Sequence, residues 1–98
     1  MEEKPVITNN EAQHRFETIQ NDEVAFLEYR FYKKDIALMH TLVPKALEGR
    51  GIASALAVYA FDYARQYNMP VMVYCPFVAA FLKKHPEYNV QVDKNYVK

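Results

Sequence analysis

Glycine is almost missing from this 98-residue chain, which has it only at Gly49 and Gly51. Backbone that needs left-handed dihedrals is therefore concentrated in one short segment. Tryptophan is absent, and Cys75 is the single cysteine. One thiol excludes an intrachain disulfide framework and fits a reducing, cytoplasmic setting. Net charge is lacking as well, because twelve basic residues balance twelve acidic ones. No global field then draws the chain to nucleic acid or to an anionic membrane, and neither is expected as a partner. Long apolar runs are also missing. The least polar stretch, Met69 to Leu82, is interrupted by Pro70 and Pro76 and is shorter than the ~18 residues of a spanning helix. With Glu2, Glu3, Lys4 and Pro5 near the start, no apolar leader is expected there.

What remains is a chain that is 51% hydrophobic with an ordinary charged share, the composition of a globular domain. At this length a single domain over residues 1–98 is expected. Met1 to Ala12 is polar and expected to be partly loose. Arg15 to Ile19 reads as a short strand ending at the turn-forming pair Asn21-Asp22. Val24 to Tyr32 places Ala25, Leu27, Tyr29 and Phe31 on one face at period two, a strand with one dry face. After Lys33-Lys34-Asp35, Ile36 to Val43 forms a strand that is apolar on both sides and hence central. On it, Ile36, Leu38, His40 and Leu42 are expected to share one side. Pro44 stops it, lacking a donor for the ladder.

The clearest helix spans Ile52 to Tyr67. Ile52, Ala55, Leu56, Tyr59, Ala60, Tyr63, Ala64 and Tyr67 follow the i, i+3, i+4, i+7 spacing and give one apolar stripe. Val71 to Tyr74 reads as a short buried strand, and Pro76 suits the first turn of a second helix ending near Lys84. Val90 to Val92 is expected to add an edge strand. Strands that precede helix-linked strands imply an α/β (α+β) fold whose sheet is antiparallel first and mixed later.

Both glycines stand just after the central strand and just before the best helix. The first amides of a helix lack intrahelical partners and carry the positive end of its dipole. Gly49 and Gly51 leave those amides open to a ligand, so Glu48 to Ser54 forms an anion-binding turn suited to phosphate. Arg50 can add a charged contact and Ser54 a hydroxyl. An ordinary strand-to-helix turn is the other reading of such a pair. The third glycine of the dinucleotide fingerprint and the Gly-Lys-Ser/Thr ending of a P-loop are both missing.

The run His40-Thr41-Leu42-Val43-Pro44, then Glu48-Gly49-Arg50-Gly51-Ile52-Ala53-Ser54-Ala55-Leu56, then Cys75-Pro76-Phe77, resembles the GNAT superfamily of N-acetyltransferases. It is most similar to the superfamily's minimal single-domain members, and the likeness covers roughly Arg15 to Tyr88. Gly51 and Ala53 fill the last two defined positions of the motif Gln/Arg-x-x-Gly-x-Gly/Ala, whereas Glu48 stands where Gln or Arg is usual. The resemblance implies a compact, truncated GNAT-like fold with a splayed mixed sheet, with acetyl-CoA or coenzyme A as cofactor and an amine as acceptor. It also implies that Leu42 and Val43 offer backbone to pantetheine. Glu48, Gly49, Arg50, Gly51, Ile52, Ala53 and Ser54 would hold the pyrophosphate, and Tyr74 and Cys75 would face the thioester. The elements that build an acceptor site in larger relatives have no room here, since Asn21 to Glu23 allows only a turn.

Two residues are candidates for the chemistry. Cys75 precedes Pro76 near a helix N-terminus, where the dipole favours a thiolate; an inert buried cysteine is the alternative. His40 stands two residues before the proposed pantetheine contacts and can take a proton from an attacking amine, or simply pack in the sheet. Phe77 and Phe81 either line the cofactor cleft or belong to the core, and Lys84 is a candidate phosphate contact. The functional expectation is acetyl transfer to an amine, with a non-catalytic CoA-binding module or partner subunit as the alternative. Exposed edge strands would also allow a homodimer.

Overall fold

A computed structural model describes residues 5–94. Five strands form one mixed sheet in the order β1-β2-β3-β4-β5. They are β1 (Thr8–Asn10), β2 (Arg15–Gln20), β3 (Glu23–Tyr32), β4 (Asp35–Leu42) and β5 (Val71–Val73). The first four are antiparallel neighbours, and β5 lies parallel to β4. Helix α1 (Ile52–Gln66) supplies the crossover between those parallel strands, and α2 (Pro76–Lys84) follows β5 directly.

Alternation along the strands sends one set of side chains toward the helices. Phe16, Leu27, Tyr29, Ile36, Leu38, Val71 and Val73 are all buried, and cross-strand register puts them on a common face. Helix α1 covers this face with Leu56, Ala57, Ala60, Phe61 and Ala64, and the Phe16 ring lies 5.2 Å from those of Tyr59 and Tyr63. Burying each large side chain in this layer contributes about 1.5–3 kcal/mol. Helix α2 joins the same layer through Phe81, whose ring stacks on Phe61 at 6.2 Å. The opposite face of the sheet carries Arg15, Glu17, Phe26, Glu28 and His40, all partly or fully exposed.

Two elements differ from the expectation at the chain ends. Part of the segment expected to be loose, Thr8–Asn10, is an edge strand on β2, and the Tyr29 hydroxyl donates to Asn9 Oδ1 at 2.6 Å. Residues 1–4 of that segment lie outside the described residues. Val90 to Val92 does not form a strand. Pro86–Gln91 winds as a 3-10 helix, Gln91 Nε2 donates to the Phe61 carbonyl at 2.8 Å, and a single parallel bridge joins Val92 to Val71.

Two local features position the site. The first is a β-bulge: Glu28 pairs with His40 and Tyr29 with Leu38, leaving Met39 as an extra residue on β4. The extra residue bends the strand and offsets the alternation beyond it. The expected shared face of Ile36, Leu38, His40 and Leu42 therefore breaks. Ile36 and Leu38 face the helices, whereas His40 and Leu42 pair with Glu28 and Phe26 on the uncovered side. Thr41, opposite Leu27, takes over the helix-facing position.

The second feature is a splay. Pairing between β4 and β5 ends at Leu38↔Val73, yet β4 continues to Leu42. The Leu38 carbonyl accepts from both the Tyr74 and Cys75 amides, at 2.9 and 3.0 Å, as the chain turns away into α2. Past Leu38 the end of β4 and the start of α2 diverge without ladder pairing, a wedge bridged where Thr41 Oγ1 meets Cys75 Sγ at 3.1 Å.

Candidate active site

The glycine segment is tethered from both sides. Lys45–Leu47 forms a short 3-10 helix after Pro44, and the Leu47 side chain is fully buried. From that anchor the chain passes Glu48 in extended conformation, then Gly49 at φ +82° and Gly51 at φ +76°. Residues with a Cβ resist this left-handed region, at about 1–2 kcal/mol. A Cβ built on either glycine meets no atom within 4 Å, so the space above the turn is open.

Gly51 is the N-cap of α1 and supplies no side-chain cap. The amides of Ile52, Ala53 and Ser54 are thus the uncapped first donors of a fifteen-residue helix. Ile52 is 2% exposed, so its side chain belongs to the core and only its backbone can serve a ligand. Ser54 is exposed and Ala53 half-buried. Glu48 and Arg50 are both exposed and make no ion pair with each other among the described residues. The Arg50 guanidinium is therefore available to an anion. These features fit a pyrophosphate: convergent amides, an open cradle and a free cation.

The wedge supplies the other half. On its β4 side Leu42 is 44% exposed, and Val43 packs half-buried against the core. Beyond Leu38 this edge of β4 has no ladder partner in β5, leaving backbone groups free for an extended amide chain such as pantetheine. On the other side stand Tyr74, 44% exposed, and Cys75, 2% exposed, at the N-cap of α2. Cys75 is a free thiol, and its Sγ lies 3.1 Å from Thr41 Oγ1. Thr41 was missing from the expected site, because the bulge that turns it inward leaves no mark in the hydrophobic pattern.

Not every expected residue converges. His40 is exposed on the uncovered face, its ring 6.2 Å from Phe26, and the bulge separates it from Cys75 by the thickness of the sheet. Phe81 does not line the cleft. It is 4% exposed, enclosed by Phe61, Tyr88 and His85 in the core between the helices. Phe77, half-buried in the first turn of α2, stays near the gap. Lys84 stands at the other end of α2 from Cys75, roughly 13 Å along a helix of this length. No helix among the described residues is long and apolar enough to cross a membrane, and no cluster of potential metal ligands occurs among them.

Comparisons with known proteins bear on the family and the fold. A family model described as GCN5-related N-acetyl-transferase matches residues 15–92. Protein NATD1 of Xenopus tropicalis is 36% identical over 63 residues, covering 63% of this chain and 58% of that protein. Protein NATD1 of Bos taurus is 30% identical over 86 residues, covering 84% and 76%. The alignments thus reach less than two thirds of the frog protein's length and about three quarters of the bovine one. A solution structure of a GCN5-like protein from Staphylococcus aureus superposes with a TM-score of 0.72 at 25% identity, covering 95% of this chain and 90% of that one.

Proposed function

Because the chain belongs to the GCN5-related N-acetyltransferase family, we propose that it uses acetyl-CoA to acetylate an amine. The observation that carries this reading is the end of β4 left without a partner in β5, which runs on through Pro44 toward the uncapped amides of α1 and carries Thr41 against the Cys75 sulfur. Ile52, Ala53 and Ser54 bind the pyrophosphate through their amides, with Gly49 and Gly51 giving it room and Arg50 adding charge. Leu42 and Val43 hold the pantetheine arm along β4. When bound, acetyl-CoA supplies a thioester whose C–S bond is exchanged for an amide C–N bond, CoA leaving as the thiol.

Cys75 borders the thioester end, where its buried sulfur shields the reacting group from water. Helices α1 and α2 occupy one side of the sheet, so the acceptor arrives over the uncovered side, where His40 stands to receive the amine proton. Cys75 and His40 therefore act on different partners and not as a pair. A free thiol at this position calls for a reducing compartment, and a cytoplasmic setting is part of the same proposal.

The uncovered face also favours a second reading, in which the chain holds CoA or acyl-CoA as a non-catalytic module or partner subunit. Only the Asn21-Asp22 turn joins β2 to β3, so no element of that connection builds an acceptor pocket. Thermal melting with CoA and acetyl-CoA tests the shared core of both readings, since a ligand held only by the native state must raise the melting temperature. No shift at millimolar ligand overturns both. Release of free CoA thiol in the presence of an amine panel separates them.

A further inference from the structure

We propose that Thr41 is a positioning residue: its hydroxyl holds the Cys75 sulfur at the end of the gap between β4 and α2, whether or not the sulfur carries its proton. The assignment rests on the acetyl-transfer reading only for the role it gives this contact; the coupling of hydroxyl to sulfur stands on geometry. Cys75 is held at its backbone, where its amide donates to the Leu38 carbonyl at 3.0 Å, and at its sulfur, where Thr41 Oγ1 lies at 3.1 Å. Both tethers come from β4, an inner strand of the sheet, so the sulfur is registered to a rigid element and not to a loop.

The bulge at Met39 is what makes this contact. With Leu38 opposite Tyr29 and Thr41 opposite Leu27, both face the helices with two residues between them, which strict alternation would forbid. A threonine hydroxyl carries one donor and two acceptor sites. It accepts from the S–H of the neutral thiol and donates to the sulfur once the proton has left, so it holds both forms. The neighbours in β5 and the first turn of α2, namely Val73, Tyr74, Pro76, Phe77 and Val78, bring no charge. Among the described residues Thr41 is the hydrogen-bond partner of this sulfur. Losing the hydroxyl therefore removes the contact that fixes the sulfur in place and its only side-chain donor among the described residues.

The test uses the full chain without any acyl donor and reads the rate at which 4,4′-dithiodipyridine modifies Cys75 at fixed pH near neutrality. Cys75→Ala gives the blank, since no other cysteine is present. Thr41→Val, close to isosteric but without the hydroxyl, should slow modification about tenfold. Thr41→Ala should slow it too, and Thr41→Ser should restore it to within about twofold, with melting curves confirming that each variant folds. An unchanged or faster rate in Thr41→Val, or failure of Thr41→Ser to rescue, overturns the proposal. In acetyl transfer, Thr41→Val should lower kcat and leave the KM for acetyl-CoA in place; the reverse pattern would make Thr41 a binding contact and equally overturn it. CoA-induced melting shifts on the same variants keep the two failures apart, because a wild-type chain that CoA does not stabilise sinks the acetyl-CoA reading alone.

Discussion

Thr41 Oγ1 lies 3.1 Å from Cys75 Sγ although 34 residues separate them, and it does so at the point where β4 and β5 part. The contact joins the end of β4 to the N-cap of α2, the helix that follows β5. If the gap holds the thioester, the thiol stands at its reacting end.

Cys75→Ala follows from that placement. The substitution removes a small buried sulfur, so melting should fall only modestly, by about 1 kcal/mol or less of stability. CoA-induced stabilisation should persist, whereas amine acetylation should drop at least about tenfold if the thiol takes part in the transfer. Steady-state kinetics beside melting curves checks both halves, and full activity in the variant would remove Cys75 from the chemistry.

Gly51→Val addresses the other end of the path. At φ +76° a β-branched residue is strained by at least about 1–2 kcal/mol, although no atom blocks its Cβ. The far-ultraviolet spectrum should keep its sheet and helix content while the CoA-dependent melting shift disappears. Retention of that shift would refute the pyrophosphate site at the start of α1.

A pH dependence arises at the far end of β4, away from the gap. Asp35 is 5% exposed, and burial, then a hydrogen bond and like charge from Asp93, push its carboxyl up to about 6 from 3.8, with Lys34 pulling the other way. Its folded value is raised, so the protonated form supports the fold. That support is complete below about pH 4 and is lost as pH rises through about 6. Asp35→Asn, which cannot ionise, should flatten the profile: the melting temperature of wild type relative to the variant should fall across this window. A difference that rises or stays level would contradict the assignment.

Tyr29→Phe tests the edge strand β1. The Tyr29 hydroxyl donates to Asn9 at 2.6 Å, and burial, the first cause, raises its phenol above the ordinary value. Losing this bond should cost about 1 kcal/mol. Amides of Thr8–Asn10 should then exchange with deuterium faster, while those of β3 and β4 keep their protection.

Much of the fold was legible because its signals are local. Val24 to Tyr32 alternates cleanly, Ile52 to Tyr67 carries an unbroken apolar stripe, and Pro44 and Pro76 sit where donors are not needed. The glycine turn was legible for the same reason: two rare residues at a strand-to-helix junction announce their own dihedrals. The ends of the chain were less readable. Thr8–Asn10 is polar and owes its strand to β2 and to the Tyr29 hydroxyl. Val90 to Val92 looks like a strand, but Pro86 starts a 3-10 helix there and the Gln91 amide is drawn to the Phe61 carbonyl.

By itself, then, the sequence determined the class of fold and the glycine turn before α1, since periodicity and the conformational demands of glycine and proline act over a few residues. Which groups meet in the gap was decided only by tertiary structure. A one-residue bulge at Met39 sends His40 to the uncovered face and Thr41 to the sulfur, and it arises from the pairing of β3 with β4, not from any residue preference along β4. Phe81 was likewise placed by packing: on a helix face it could serve core or cleft, and the rings of Phe61 and Tyr88 claim it for the core.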